Sequence, residues 1–206
     1  MGSIVGRHSR RLNGAAFYND YKGLQLLLRT CPQSTSITCQ LPANAGNAHV
    51  KGVELESTIK LAEGLTVDGT VGYLDFKYAS VNAATGVTLG MKAPFNNKWQ
   101  ASGGIQYALD LGGSGTITPR LDWTYQSSFY YEAVNAATNR IDGRNLFNAR
   151  LTYDSDDKNW SLSANVTNLA NKFYYVGKSD GFANFRMISG VVGRPREWSL
   201  TVRRNF

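Results

Sequence analysis

The sequence predicts an all-β fold: an antiparallel up-and-down transmembrane β-barrel to which this chain contributes eight strands. Apolar and polar residues alternate along eight stretches, which is the period of a strand that has two different environments. The chain contains 21 glycines, 5 prolines and 11 tyrosines, a mixture that favours strands and turns over helices. Long and short connections also follow one another in strict alternation, which indicates an up-and-down sheet.

Composition is compatible with a membrane barrel. Mean hydropathy is −0.30 at 42% hydrophobic residues, and such an average arises when lumen residues dilute the lipid-facing ones. No apolar run approaches the ~20 residues that a spanning helix needs. The net charge of +7 is spread along the strands, with no basic run beyond Arg10-Arg11, so we expect no nucleic-acid partner.

The first three strands are predicted at about 10–29, 47–61 and 65–80. The second is the clearest, because Val53 and Leu55 alternate with Glu54 and Glu56, and the alternation continues to Leu61. The polar residues that share one face of this strand are Glu54, Glu56, Thr58 and Lys60. Four polar residues in a row indicate that this face contacts water and not a protein core. A tight turn at 62–64 joins the second and third strands.

The remaining five strands are predicted at about 99–111, 116–125, 147–153, 160–167 and 198–206. Short turns at 112–114 and 155–158 join two pairs of them. Pro119 lies within the fifth strand, and because proline has no amide hydrogen to donate, we expect a bulge there. Aromatic residues on the apolar positions are typical of interfacial girdles; a soluble β-sandwich with an aromatic core is the alternative.

The connections indicate an orientation. The short ones have roughly three residues and the long ones roughly thirteen to eighteen, against 2–5 in ordinary hairpins. Outer-membrane barrels have short periplasmic turns and long outer loops. We therefore expect a bacterial outer-membrane location with the C-terminus on the periplasmic side.

Two cysteines, Cys31 and Cys39, lie in the first polar loop. A disulfide that closes a small loop is predicted, and two free thiols are the alternative. A zinc site would need two further ligands, and neither histidine lies at a ligand spacing, so no metal site is predicted.

Four segments together resemble the C-terminal part of a TonB-dependent outer-membrane receptor. They are FYNDYKGLQ at 17–25, VKGVELE at 50–56, NVTNLANKFYY at 165–175 and the closing segment from Gly193 to Phe206. The resemblance spans most of the chain in the family's order. It implies that residues 1–206 are the last eight strands of a 22-stranded barrel around a plug domain. No plug domain and no TonB box are found in these residues, and residues 1–7 lack the features of a signal peptide, so we expect the natural N-terminus to lie upstream.

The resemblance implies partners and a function. The parent takes up an iron–siderophore complex, cobalamin or a similar solute, contacts the TonB complex through the plug region and lies in outer-membrane lipid. The last strand resembles the signal that the barrel-assembly machinery reads, and the matching residues are Trp198, Leu200, Val202 and Phe206.

No catalytic motif or cofactor fingerprint occurs in the sequence, so no enzyme and no cofactor is predicted. Two groups of residues are candidates for the lumen or for a ligand. Three are charged strand residues and four are tyrosines near loop bases: Arg120, Asp122 and Arg150, and Tyr130, Tyr131, Tyr174 and Tyr175. Two other functions stay open, a self-contained eight-stranded barrel with a structural or adhesion role and a soluble ligand-binding barrel or barrel enzyme.

Overall fold

The computed structural model describes residues 9–28, 41–182 and 186–205. Eight long strands form one sheet, as the sequence predicts. They are β1 (Arg10–Leu28), β2 (Leu41–Lys60), β3 (Leu65–Val81), β4 (Trp99–Tyr107), β6 (Thr116–Gln126), β9 (Arg144–Asp154), β10 (Trp160–Thr167) and β13 (Glu197–Arg204). The two-residue strand β5 (Leu109–Asp110) continues β4. The all-β antiparallel prediction is confirmed.

The strand order in the sheet is β1-β2-β3-β4-β6-β9-β10-β13, so strands adjacent in the sheet follow one another along the chain except where a small hairpin intervenes. Every pairing is antiparallel. Within the described residues β1 pairs with β2 alone and β13 with β10 alone, so the sheet is open. The structure therefore does not support the alternative in which the eight strands close on themselves.

Three tight turns join strands at one end of the sheet. Gly64 adopts a φ of 75° and Gly115 a φ of 98°. A Cβ atom would lie 2.3 Å from the carbonyl oxygen of Ala108 at the first position and 2.2 Å from that of Asp154 at the second. Glycine is required at both turns because the neighbouring backbone occupies the space of a side chain.

The long connections contain structure that the alternation of residues does not predict. Strands β7 (Phe129–Tyr130) and β8 (Arg140–Ile141) form one small hairpin, and β11 (Tyr175–Gly181) and β12 (Met187–Val192) form another. Two 3₁₀ turns, Ala83–Thr85 and Ala137–Asn139, lie in the same connections. The sequence is interpreted as having loops at about 131–143 and 177–193, and the structure adds short strands and a 3₁₀ turn within these connections.

Two expectations about the strands were wrong. Strand β2 begins at Leu41 rather than near residue 47, because its first residues pair with the leucines at the end of β1. No register shift occurs at Pro119, which pairs with Leu151 of β9 in an unbroken ladder. The ladder on its other side is interrupted instead, because Ala108 leaves the sheet between β4 and β5 and donates its amide to Gly64.

The two faces of the sheet differ as the alternation predicts. One face, called here the apolar face, carries solvent-exposed large hydrophobic residues on every long strand, among them Val53, Ile105, Leu151 and Leu200. The opposite face, called here the polar face, carries carboxylates, amides, hydroxyls and guanidinium groups. Trp198, Leu200 and Val202 are all exposed on the apolar face of β13.

The polar face becomes apolar at the end that carries the long connections. Phe76 and Tyr78 of β3 are buried there with Ala48 of β2, and Val87 and Ala133 from two long connections cover them. This buried cluster fastens the connections to the first three strands. Strands β1, β2 and β3 have 19, 20 and 17 residues, which exceeds the ~9–11 residues that cross a bilayer.

Several expectations lie outside the described residues. They concern Cys31, Cys39 and Phe206, so the disulfide and the last residue of the terminal strand stay predictions. Among the residues that are described, no helix is long and apolar enough to span a membrane.

Candidate functional site

A charged cluster occupies the middle of the polar face. Arg120 of β6 donates from Nη1 to Asp68 Oδ1 at 2.8 Å and from Nη2 to Asp68 Oδ2 at 3.1 Å. Its Nε donates to Asp122 Oδ1 at 2.9 Å, and Nη1 also reaches Gln106 Oε1 at 3.1 Å. We call these four residues the Arg120 cluster. Its geometry is the two-pronged arrangement that a planar guanidinium makes with a carboxylate.

The register of three strands builds this cluster. Gln106 of β4 stands directly opposite Arg120, and Gly104 of β4 stands between Asp68 of β3 and Asp122 of β6. A Cβ atom on Gly104 would lie 2.2 Å from Arg120 Nη2 and 2.8 Å from Asp68 Oδ2. Because Gly104 has no side chain, there is space above it in which the guanidinium of Arg120 contacts the carboxylate of Asp68.

A second guanidinium extends the cluster across the sheet. Arg150 of β9 stands directly opposite Arg120 and donates from Nε to Asn165 Oδ1 of β10 at 2.7 Å. Asp68 and Asp122 balance the two arginines in charge. The Arg120 side chain is 23% exposed, so the cluster remains open to a molecule that lies against the polar face.

Hydroxyls and amides line the polar face above the cluster. Thr70 Oγ1 and Ser102 Oγ are 2.7 Å apart, and Gln100 and Glu54 flank them. Open grooves of about 390, 300 and 320 Å³ run over this area. The surface offers many hydrogen-bond donors and acceptors. Among the described residues no group of three His, Cys, Asp or Glu side chains could hold a metal ion.

The tyrosines predicted near loop bases lie in the long connections. Tyr174 packs under Arg144, whose guanidinium carbon is 4.8 Å from the ring centroid. Arg144 Nη1 also donates to the carbonyl oxygen of Tyr175 at 3.3 Å. Tyr131 meets Phe95 edge-to-face at 4.9 Å, and Tyr130 is joined to Phe95 through the backbone. These aromatic rings line the rim of the polar face.

Three long connections bind one another into what we call the loop layer, residues 82–98, 127–143 and the described parts of 168–196. Asn135 Oδ1 accepts from the amide of Lys92 at 2.6 Å, and its Nδ2 donates back to the Lys92 carbonyl at 3.0 Å. Ser179 donates to Glu132 Oε1 at 3.2 Å. Segments far apart in the sequence thus form one connected surface over the end of the sheet.

Asn139 stabilises the centre of the loop layer. Only 1% of its surface is exposed, and its Nδ2 donates to the carbonyl of Val134 at 2.8 Å and to Glu132 Oε2 at 3.3 Å. Its Oδ1 accepts from the amide of Ala136 at 3.2 Å. Because every polar group of the buried amide has a partner, the side chain fixes this connection at little desolvation cost.

The residues proposed from sequence fall into two groups. Arg120, Asp122 and Arg150 come together on the sheet, while Tyr130, Tyr131, Tyr174 and Tyr175 lie in the loop layer. The sequence reasoning missed three residues of this region as site residues: Asp68, Gln106 and Arg144. The polar parity of Asp68 on its strand was visible, but its pairing with Arg120 follows from the register across two further strands.

Comparison with known proteins now identifies the family. A family model described as "TonB dependent receptor-like, beta-barrel" matches residues 5–169. The chain belongs to the TonB-dependent receptor β-barrel family. The comparison with curated proteins gives no significant match.

Solved structures show the same fold as this TonB-dependent receptor barrel segment. The ferric yersiniabactin uptake receptor FyuA from Yersinia pestis has a TM-score of 0.76 at 21% identity, over 99% of this chain and 28% of its own. The ferric preacinetobactin receptor BauA from Acinetobacter baumannii has a TM-score of 0.63 at 22% identity, over 97% of this chain and 27% of its own. The copper transporter OprC has a TM-score of 0.69 at 18% identity, over 96% and 29%. The chain therefore spans under a third of the length of these structures.

Proposed function

We propose that this chain forms one wall of the outer-membrane β-barrel of a TonB-dependent receptor that takes up an iron–siderophore complex or a similar solute. The proposal rests on two differences within the sheet. One face carries apolar residues that are compatible with lipid, and the other carries the Arg120 cluster. Tight turns lie at one end of the sheet and the loop layer lies at the other. This arrangement suits a wall between bilayer and lumen.

The similar structures support the choice of solute. FyuA is described as a ferric yersiniabactin uptake receptor, BauA as a ferric preacinetobactin receptor, PiuA from Acinetobacter baumannii as a siderophore receptor, and OprC as a copper transporter. A polar face rich in arginine, carboxylate and hydroxyl groups suits a hydrophilic, oxygen-rich solute. Arg144 stacked on Tyr174 at the rim could contact an anionic group that enters from the loop layer.

Three further parts of the proposal concern partners. We expect residues 1–206 to be the C-terminal segment of the barrel, with a plug domain that contacts the TonB complex encoded upstream. We expect the row Trp198, Leu200 and Val202, continued by Phe206, to be read by the barrel-assembly machinery. The genomic reading frame upstream of Met1 tests the first expectation, because it should encode a plug, further strands and a signal peptide.

An epitope experiment tests the placement. A short epitope inserted after Gly90 should be labelled by antibody on intact cells, because Gly90 lies in the loop layer with no atom near its side-chain position. The matched control is the same epitope after Gly113, in the short turn where a side chain also has free space. Labelling of Gly113 on intact cells, or of both positions only after permeabilisation, would overturn the placement.

An uptake experiment tests the function. Cells that carry the intact gene should accumulate ⁵⁵Fe from at least one of three iron complexes, a catecholate, a hydroxamate or ferric citrate, and a gene deletion should abolish it. A protonophore should stop uptake but leave surface binding in place, since transport in this family is energised. Equal ⁵⁵Fe uptake in the deletion strain for all three complexes would refute the proposal of iron transport.

A further inference from the structure

The apolar face contains a groove next to the loop layer. Its volume is about 630 Å³, and the residues that line it are Val53, Leu55, Val71, Tyr73, Lys98 and Trp99. The rings of Tyr73 and Trp99 lie 4.7 Å apart and tilted by 57°, so they form one wall. Val53 and Leu55 are 45% and 46% exposed. The lining is aliphatic and aromatic except for Lys98, which is the one charged side chain among these six residues.

The groove continues away from the loop layer over small residues. Gly69 of β3 and Gly103 of β4 stand directly opposite each other, one row below Val71 on the same face. Val67 and Ile105 pair in the next row. A channel of this shape lies along the strands, which is the direction in which lipid chains run beside a barrel wall.

Positive charge lies at the end of the groove nearest the loop layer. The Nζ atom of Lys98 lies over the Tyr73 ring, 5.4 Å from its centroid. Lys51 is on the same face, one row above Val53, where its register partners are Tyr18 and Asp75. Asp75 is the carboxylate in that row, and it faces Lys77 at 3.9 Å. The lysines outnumber the carboxylate, so this rim carries net positive charge.

The next row of the sheet contains a further acidic side chain, Asp20, but it already contacts a histidine. Asp20 of β1 contacts Nδ1 of His49, and Tyr18 OH lies 3.1 Å from the same nitrogen. These three side chains satisfy one another on the strand segment above the groove. Asp20 therefore does not compete for Lys51 and Lys98.

We propose that this groove binds a phosphate-bearing lipid of the outer leaflet, with one acyl chain along Val71 and the headgroup phosphate at Lys51 and Lys98. The inference rests on the outer-membrane placement proposed above. Lysines at the membrane interface extend their ammonium groups toward headgroups and attract anionic lipid. The aromatic pair at the same depth is typical of an interfacial girdle. Lipids that surround the barrel without a specific binding site would not require two lysines next to a groove at the same depth in the membrane.

Lipid retention by the full receptor tests the charge. The receptor is purified from the outer membrane, exchanged into detergent, incubated with diphosphoryl lipid A or with its dephosphorylated form, and examined by native mass spectrometry. The wild type should retain the diphosphoryl form. The double variant K51Q/K98Q should retain it roughly tenfold less, since each lysine near the headgroups contributes to anionic lipid binding. The control K60Q removes one lysine charge from the opposite face of β2 and should leave retention unchanged, whereas K51Q and K98Q should each lower it.

A second pair of variants tests the groove without changing charge. Val71→Trp fills it with a residue that strands and lipid-facing surfaces accept, and it should reduce lipid retention to a similar extent. Leu162→Trp makes a comparable substitution on the apolar face of β10, away from the groove and its continuation, and should have no effect. Equal retention of the two lipid forms by the wild type, or wild-type retention by V71W, would overturn the proposal. If the epitopes report the expected placement and no lipid is retained, the lipid site alone fails and the receptor function stands.

Discussion

The substitution Gly104→Ala should destabilise the receptor by disturbing the Arg120 cluster. The new methyl group would lie 2.2 Å from Arg120 Nη2 and 2.8 Å from its Cζ, so the guanidinium must move away from Asp68. Hydrogen bonds to charged groups contribute ~1.5–3 kcal/mol each, and partial exposure of this cluster places the loss near the lower limit, about 1.5 kcal/mol. A Gly→Ala change also stabilises by ~0.4–1 kcal/mol through the unfolded chain, which leaves a net loss of about 1 kcal/mol.

The matched control is Gly72→Ala. Gly72 lies on the same polar face of the neighbouring strand β3, and no atom lies within 4 Å of its side-chain position. This variant should be neutral or slightly stabilised. The two alanine variants should therefore differ by about 1.5 kcal/mol in the free energy of unfolding.

The assay is denaturant unfolding of the full receptor in detergent, followed by tryptophan fluorescence, for both variants and for a double-mutant cycle with Arg120→Ala. Once the guanidinium is gone, the cost of Gly104→Ala should fall, because the remaining close atom, Asp68 Oδ2 at 2.8 Å, ends a side chain that no longer has this partner and can turn away. If the full cost persists in the Arg120→Ala background, the reasoning is refuted, because displacement of the guanidinium would then not be its cause. Equal midpoints for G104A and G72A would refute it as well.

Three further predictions concern the lipid face, the loop layer and a short turn. Leu151→Arg on the apolar face should cost ~2–4 kcal/mol and impair heat-modifiable assembly on gels, while Thr152→Arg on the polar face should be tolerated. Asn139→Ala leaves buried partners unsatisfied at about 2 kcal/mol and should speed trypsin cleavage within the loop layer. The Ser155 hydroxyl lowers the pKa of Asp157 below its ordinary 3.8, so the turn is stabilised above pH 3.8 and loses this contribution as pH falls through the lowered pKa. The difference in unfolding midpoint between wild type and Ser155→Ala should therefore narrow in acid, and the part that remains is due to the hydrogen bond from the Trp160 amide to the Ser155 hydroxyl, which does not titrate.

The number of strands could be predicted because each strand has one apolar face and one polar face. Leu121 and Asp122 are neighbours in sequence yet face opposite environments, and that contrast repeats along β6. The start of β2 could not be predicted in this way. After Leu41 and Pro42 its residues up to position 48 are small or polar, and pairing with β1 rather than their own periodicity makes them a strand. At such positions, hydrogen bonding to a neighbouring strand decides the secondary structure, even where the sequence does not alternate between apolar and polar residues.

The site could be predicted only in part. Arg120 and Asp122 lie two residues apart on one strand, so their contact follows from strand geometry alone. Asp68 is 52 positions away from Arg120, and its contribution depends on the register of β3, β4 and β6 together. The hairpins of the loop layer have no regular alternation that could have predicted them, and in β12 every residue is exposed, so no buried face distinguishes that strand.

The loop layer has a consequence for anything that recognises this end of the sheet. Asn135 is bonded to Lys92, and Glu132 to Ser179, so adjacent points on the surface come from segments more than forty positions apart. An antibody or phage protein that binds here meets a discontinuous epitope. A peptide copied from any one segment should compete poorly with the folded receptor, and a deletion in one segment should abolish recognition that maps to another.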